Sequence, residues 1–304
     1  MHEQQEFSKD VYALVTDRII ELLKAGTIPW QKPWTDAGLP RNIISKRPYR
    51  GINIMLLNAL GYEQNLFLTW KQIKTISASV KKGEKGQFVV FFKRLELSKE
   101  EQDKEKALHK YVLRYYKVFN ISQCTGIPEA FFPSQAVQEH DPIWQCEKVL
   151  EDMPLCPKVV HKKQEAYYDP LNDVINMPKL KSFDTREGYY GTLFHELVHS
   201  TGHKERVGRK EVFDNPAYGT KPYSLEELVA EMGACYLKSH VGIPIESFAN
   251  NAAYINGWLD VFAHDMRFLI RAAARAQEAV EYILNLRPHE EHEDTPADEA
   301  VSVG

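Results

Sequence analysis

The sequence predicts an α+β protein of two domains, and three observations carry that expectation. Its 304 residues exceed the usual size of one domain. Its charge is divided, with 21 basic against 13 acidic side chains in residues 1–125 (net +8) and 17 against 29 in the remainder (net −12). Strand and helix patterns are mixed in the first part, whereas helices dominate the end of the second. A hydrophobic content of 43% allows a sizeable core and excludes a mainly disordered chain. No run of eighteen apolar residues occurs, and the opening MHEQQEFSKD is polar, so neither a membrane span nor a secretory signal is expected. Cys124, Cys146, Cys156 and Cys235 are widely spaced with no C-x-x-C pair, which fits a reducing, cytoplasmic setting.

The first helix reads from Ser8 as cap, through the stripe Val11, Leu14, Val15, Ile19, Leu22 and Leu23, to Gly26 as a left-handed stop. Pro29 and Pro33 forbid helix in PWQKPW and present Trp30, Lys32 and Trp34 on an extended segment. A basic loop follows with Arg41, Lys46, Arg47, Tyr49 and Arg50. Ile52 to Leu60 reads as a short buried helix, and Thr69 caps another that begins at Trp70. Lys81, Lys82 and Lys85 lie in a glycine-containing turn, ahead of two aromatic, branched runs, Gln87 to Leu97 and Lys110 to Ile121, that predict a β pair.

Residues 126–142 carry prolines and no period, as expected of a linker between a domain at 1–125 and one at 143–287. The second domain opens with a helix near 144–151. Strands follow around 158–161, 165–168 and 173–177, the last two joined by the turn Asp169-Pro170-Leu171-Asn172. Asp184 and Glu187 predict a capping box for a helix through His199. Ser224 starts another, and two more cover about 247–262 and 264–286. Residues 288–304 are acidic and poor in apolar side chains, the composition of a disordered tail.

The helix expected through His199 carries Phe194-His195-Glu196-Leu197-Val198-His199, an H-E-x-x-H pattern. Four residues is about one helical turn, so both imidazoles project from one face and reach a common cation. Glu196 is placed to take a proton from a water that the metal activates, the division of labour in zinc hydrolases. Three protein ligands are usual at a catalytic zinc. Glu227 is the leading third candidate, with Glu231 one turn later to orient a ligand histidine, in an arrangement like the gluzincin pattern. Glu205, ten residues after His195, competes with it in a metzincin-like spacing, and His203 is a further rival.

Several stretches together carry a family resemblance. Ile28 to Trp34, Arg47 to Asn53 and Lys82 to Gly86 resemble the N-terminal domain of the ArdC antirestriction family, also found in plasmid primases. Ala166 to Tyr168, Asp173, Met177-Pro178, His195 to His203 and Glu226 to Glu231 resemble that family's zincin-like metallopeptidase domain. The resemblance implies a single-stranded DNA-binding module joined to a peptidase-like domain that holds Zn2+, or another divalent ion such as Mn2+. It also implies a role in protecting incoming plasmid DNA from host restriction, with a host restriction component as protein substrate. A non-proteolytic single-stranded DNA coat with a structural or vestigial metal site is the alternative. Phosphate-binding cations and base-stacking rings suit a single strand. The candidates are Trp30, Lys32, Trp34, Arg41, Lys46, Arg47, Tyr49, Arg50, Trp70, Lys71, Lys74, Lys81, Lys82 and Lys85.

Overall fold

Helix α1 (Glu3–Lys24) begins before the Ser8 start expected, and its stripe of Val11, Val15, Ile19 and Leu23 is buried. Gly26 then adopts a φ of 77°, and the amide of Thr27 donates back to the Leu22 carbonyl at 2.8 Å, the left-handed stop that the sequence predicts. The computed structural model describes residues 3–30, 38–96, 109–132, 141–209, 212, 224–243 and 252–286. Lys32, Trp34 and the acidic 288–304 tail lie outside the described residues.

The N-terminal half is built on a four-stranded sheet of order β1-β2-β5-β4, with β1 at Arg41–Asn42, β2 at Leu66–Thr69, β4 at Gln87–Glu96 and β5 at His109–Asn120. β4 and β5 form the expected antiparallel pair, from Gln87 opposite Val118 to Glu96 opposite His109. Ile52, Ile54, Met55 and Leu56 of helix α2 (Ile52–Asn58) cluster with α1, Val90 and Leu113, while Leu57 packs with Val89 and Val118. Thr69 caps α3 (Trp70–Thr75) in a full capping box with Gln72. A small ladder pairs β3 (Ser79–Val80) with β6 (Cys124–Thr125).

In the C-terminal half, α4 (Pro142–Asp152) precedes a three-stranded sheet of order β7-β9-β8, formed by Lys158–Val160, Val174–Asn176 and Tyr167–Asp169. Against β8 and β9 packs α5 (Arg186–Ser200), which also contacts α6 (Leu225–Val241) and α8 (Phe268–Ile283). Between them in sequence lies α7 (Ala252–His264). The cap of α5 is Thr185, whose hydroxyl accepts from the Gly188 amide at 2.9 Å, rather than Asp184.

One hydrophobic core runs through both halves, joining α1, α2, Val90 and Leu113 to Trp258, Phe262, Leu269, Ile270 and Ala273. Polar contacts complete the seam. Thr16 Oγ1 donates to the Met266 carbonyl at 2.9 Å, Tyr236 Oη donates to the Gly51 carbonyl at 2.9 Å, and the Gly51 amide donates to Gln277 Oε1 at 3.0 Å. Gly51 has a φ of 55°, which presents both backbone groups to the second half in a conformation that side chains disfavour. The fold is α+β, as expected.

Candidate metal centre

His195 and His199 stand one turn apart on α5, their Nε2 atoms 3.0 Å from each other. Glu227, in the first turn of α6, reaches them from the neighbouring helix. Its Oε2 is 3.6 Å from His195 Nε2 and its Oε1 is 3.7 Å from His199 Nε2. The backbone amide of Glu227 donates to the Ser224 cap at 3.1 Å, which fixes the helix start while leaving the carboxylate to face the imidazoles. The three ligating atoms lie within 4.8 Å of one another. Ligands about 2.1 Å from a tetrahedral ion are roughly 3.4 Å apart, so the three separations suit one face of such a site. Two imidazole nitrogens and a carboxylate also match the ligand preferences of zinc and related divalent ions.

Close helix packing makes this approach possible. A Cβ on Gly233 of α6 would stand 2.7 Å from Val198 Cγ2, so only glycine lets α6 come this near to α5. Glu196, 6% exposed, faces inward, and its Oε2 is buried with no hydrogen-bond partner among the described residues. A buried carboxylate oxygen left unsatisfied is costly unless a ligand or water completes it.

The field at this point is negative. Burial disfavours a charged His195, but the hydrogen bond it donates to Glu227 and the charges of Glu196, Glu231 and Glu227 outweigh it and bring the imidazole up to about 9. Burial likewise pushes the Glu227 carboxyl up, and the His195 hydrogen bond with the His199 and His195 charges holds it below its ordinary value.

The acid that touches the His199 imidazole from behind is Glu226, a role the sequence reading does not give it. Glu226 Oε1 is 3.3 Å from His199 Nδ1. Arg209 grips the same carboxylate from Nε to Oε2 at 2.9 Å and from Nη2 to Oε1 at 2.7 Å, and it also donates to Thr201 Oγ1 and to the Val198 carbonyl. Burial opposes the Glu226 charge, yet the hydrogen bonds from His199 and Arg209 hold the carboxyl down at about 2. Glu231 instead accepts from Tyr254 Oη at 3.1 Å. The sequence offered no signal for Arg209, a loop arginine that would ordinarily be solvated.

Glu205 and His203 are not in the group. Arg206 clamps their segment by a two-pronged pair with Asp173 at 2.8 Å for each bond, and it donates to the Ser200 carbonyl at 2.9 Å. Tyr168 Oη donates to the same Asp173. Glu205 is left exposed, its amide donating to His203 Nδ1.

The residues expected to meet DNA divide. Trp30 is 2% exposed and stands edge-on to Trp258 and Phe262, and Tyr49 is 9% exposed and packs edge-on to Phe67. Both are corrected to core residues, because a ring held on its faces and edges by protein offers no face to a base. Arg50 pairs with Glu281 of α8. Lys46 donates to the Phe131 carbonyl, and Lys81 to the Ser122 carbonyl. Trp70 remains 48% exposed with the Lys74 ammonium 5.4 Å from its ring centroid. Arg41, Arg47, Lys71, Lys82 and Lys85 are exposed as well. The side-chain amides of Asn42 and Gln72 bond each other at 2.8 and 3.2 Å, and Asn42 Oδ1 accepts from the amides of Ile44 and Ser45. That knot ties the Arg41 to Arg47 loop to the helix bearing Trp70, Lys71 and Lys74.

Residues 9–119 match a family model described as the N-terminal domain of anti-restriction factor ArdC, and residues 146–275 match one described as a zincin-like metallopeptidase. An uncharacterised protein of Sinorhizobium fredii, y4eC, is 29% identical, with 90% of this chain and 91% of that protein aligned. Two DNA primases TraC of Escherichia coli are 30% and 32% identical over 95% and 93% of this chain, which spans only 28% and 20% of their lengths. Crystal structures of antirestriction protein ArdC from plasmid R388 superpose with a TM-score of 0.71 in both the metal-free and the Mn(II)-bound forms. Identity to them is 35% and 33%, with 91% and 92% of this chain and 99% of each of those chains covered. With nearly the whole of that protein aligned, both family models matched in order and the H-E-x-x-H helix set against a carboxylate from the next helix, the chain belongs to the ArdC antirestriction family.

Proposed function

We propose that this protein shields incoming plasmid DNA from restriction in the cytoplasm, by binding single strands through its N-terminal half and cleaving a protein of the host restriction machinery at its metal centre. In this reading residues 1–125 and 143–287 are the two working domains, joined by 126–142. His195, His199 and Glu227 hold a zinc or manganese ion. The ion, when bound, supplies Lewis acidity that acidifies water and polarises a peptide carbonyl. Glu196 Oε2 receives the water's proton and passes it to the leaving amine. Glu226, fixed by Arg209, orients His199. The single observation that carries the reading is the unpartnered, buried Oε2 of Glu196 beside three convergent ligand atoms.

The single-strand assignment is supported by the exposed Trp70, the cations on its helix and the basic loop tied to it. Cationic grooves with accessible aromatic faces bind single strands with little sequence preference.

Glu196→Gln tests the reading. It preserves size while removing the base, so proteolysis should fall by orders of magnitude with metal content and single-strand affinity unchanged. In a plasmid-transfer assay the variant should lose protection. Full protection by Glu196→Gln would instead favour a DNA coat whose metal site does no chemistry.

A further inference from the structure

Trp30 belongs to the N-terminal half, yet its indole lies in the wall of the second half, 5.9 Å from the Trp258 ring and 6.2 Å from that of Phe262. An indole N–H is a donor only, and it donates to Tyr254 Oη at 3.0 Å. The tyrosine therefore accepts from Trp30, and its own proton points to Glu231 Oε1 at 3.1 Å. The direction of this relay is fixed by chemistry, since neither Trp30 nor a carboxylate could be arranged the other way. Glu231 is one helical turn beyond Glu227 on α6, hence on the same face.

We propose that the N-terminal half completes the metal centre, with Trp30 acting through Tyr254 to position Glu231 beside His195. Glu231, Tyr254 and Trp30 are then positioning residues, each acting through the next, and the affinity of the site for a divalent ion depends on a side chain from the DNA-binding half. The proposal rests on the reading of His195, His199 and Glu227 as ligands. Outer partners of ligands commonly change metal affinity about 10–100-fold.

The test uses the full chain, with Mn2+ and Zn2+ titrated calorimetrically into the parent, Glu231→Gln, Tyr254→Phe, Trp30→Phe and the Tyr254→Phe, Glu231→Gln double variant. Glu231→Gln should weaken binding about 10–100-fold and Tyr254→Phe about tenfold, with the double variant scarcely worse than Glu231→Gln alone. Trp30→Phe keeps the apolar bulk, loses the N–H and should weaken binding in the same sense as Tyr254→Phe. Lower melting temperatures of the metal-free variants with parent-like metal affinity would mark a purely structural role and overturn the proposal. Parent-like affinity in Tyr254→Phe, or additive losses in the double variant, overturns the proposal. Should Trp30→Phe not fold, the Tyr254→Phe cycle decides alone. His195→Ala with parent-like affinity would overturn both the ligand assignment and the relay, whereas loss of metal in His195→Ala with no effect of Tyr254→Phe overturns the relay only.

Discussion

Arg209→Met is the substitution that bears most directly on how the metal centre is held. Arg209 is 5% exposed and spends its donors on both oxygens of Glu226, on Thr201 and on the Val198 carbonyl. Methionine fills similar apolar volume but leaves a buried carboxylate without its cation, a loss that costs about 3–5 kcal/mol. With about 2.1 cal/mol/K of unfolding entropy per residue over a cooperatively unfolding chain, that corresponds to a fall of about 5–8 °C in Tm. Burial then dominates at Glu226, its carboxyl rises, and a neutral acid supports His199 Nδ1 less well, so metal affinity should drop about 10–100-fold. The acid limb should change too. A carboxyl held at about 2, below its ordinary 4.5, stabilises the fold fully above pH 4.5 and loses that contribution as pH falls towards 2. His199 shares in holding that carboxyl down, so part of this acid sensitivity, and not all of it, should be missing from Arg209→Met. Differential scanning calorimetry across pH and metal titration at neutral pH read both effects. Parent-like Tm and parent-like metal affinity would refute the reasoning.

Two further expectations concern the ligands and the DNA face. Glu227→Ala should release the metal while Glu205→Ala retains it, measured as metal content after dialysis, and the opposite result would move the third ligand to the segment after Gly202. Trp70→Ala should cost single-strand binding on the order of 1–3 kcal/mol with little change in salt slope, whereas neutralising Arg47, Lys71 and Lys74 should flatten that slope. Equal affinity for single and double strands would count against stacking.

What the sequence made legible was local. His195 and His199 needed only the pitch of one helix, and the β4–β5 pair only a density of branched and aromatic residues. Thr69 and Ser224 were readable caps, and α5 differed only in using Thr185 one residue after Asp184, within the usual uncertainty of a helix end. What failed depended on distant packing. Trp30 among lysines and prolines looks like a stacking platform until Trp258 and Phe262, more than 220 residues later, close around it. That Glu226 stands behind His199 depends on how α6 crosses α5. That crossing is set by Gly233 against Val198, a contact between helices that no helical period encodes.

The seam also constrains how the two functions can be divided. Opposite net charge suggested separable modules, but the apolar stripe of α1 and the Trp30 ring are buried against the helices of the second half. Cutting between the halves would expose that core and strip Thr16, Gly51 and Trp30 of partners supplied by Met266, Gln277, Tyr236 and Tyr254. Each buried polar group left without a partner costs about 1–3 kcal/mol, a large fraction of the 5–15 kcal/mol that holds a typical domain together. Charge is shared across the same boundary, because Arg50 is engaged by Glu281, and Gln277 donates to that carboxylate at 2.8 Å. An acid already seated on Arg50 must be displaced before a phosphate can take its place. The Arg50 end of the basic loop therefore serves the joint between the N-terminal half and α8.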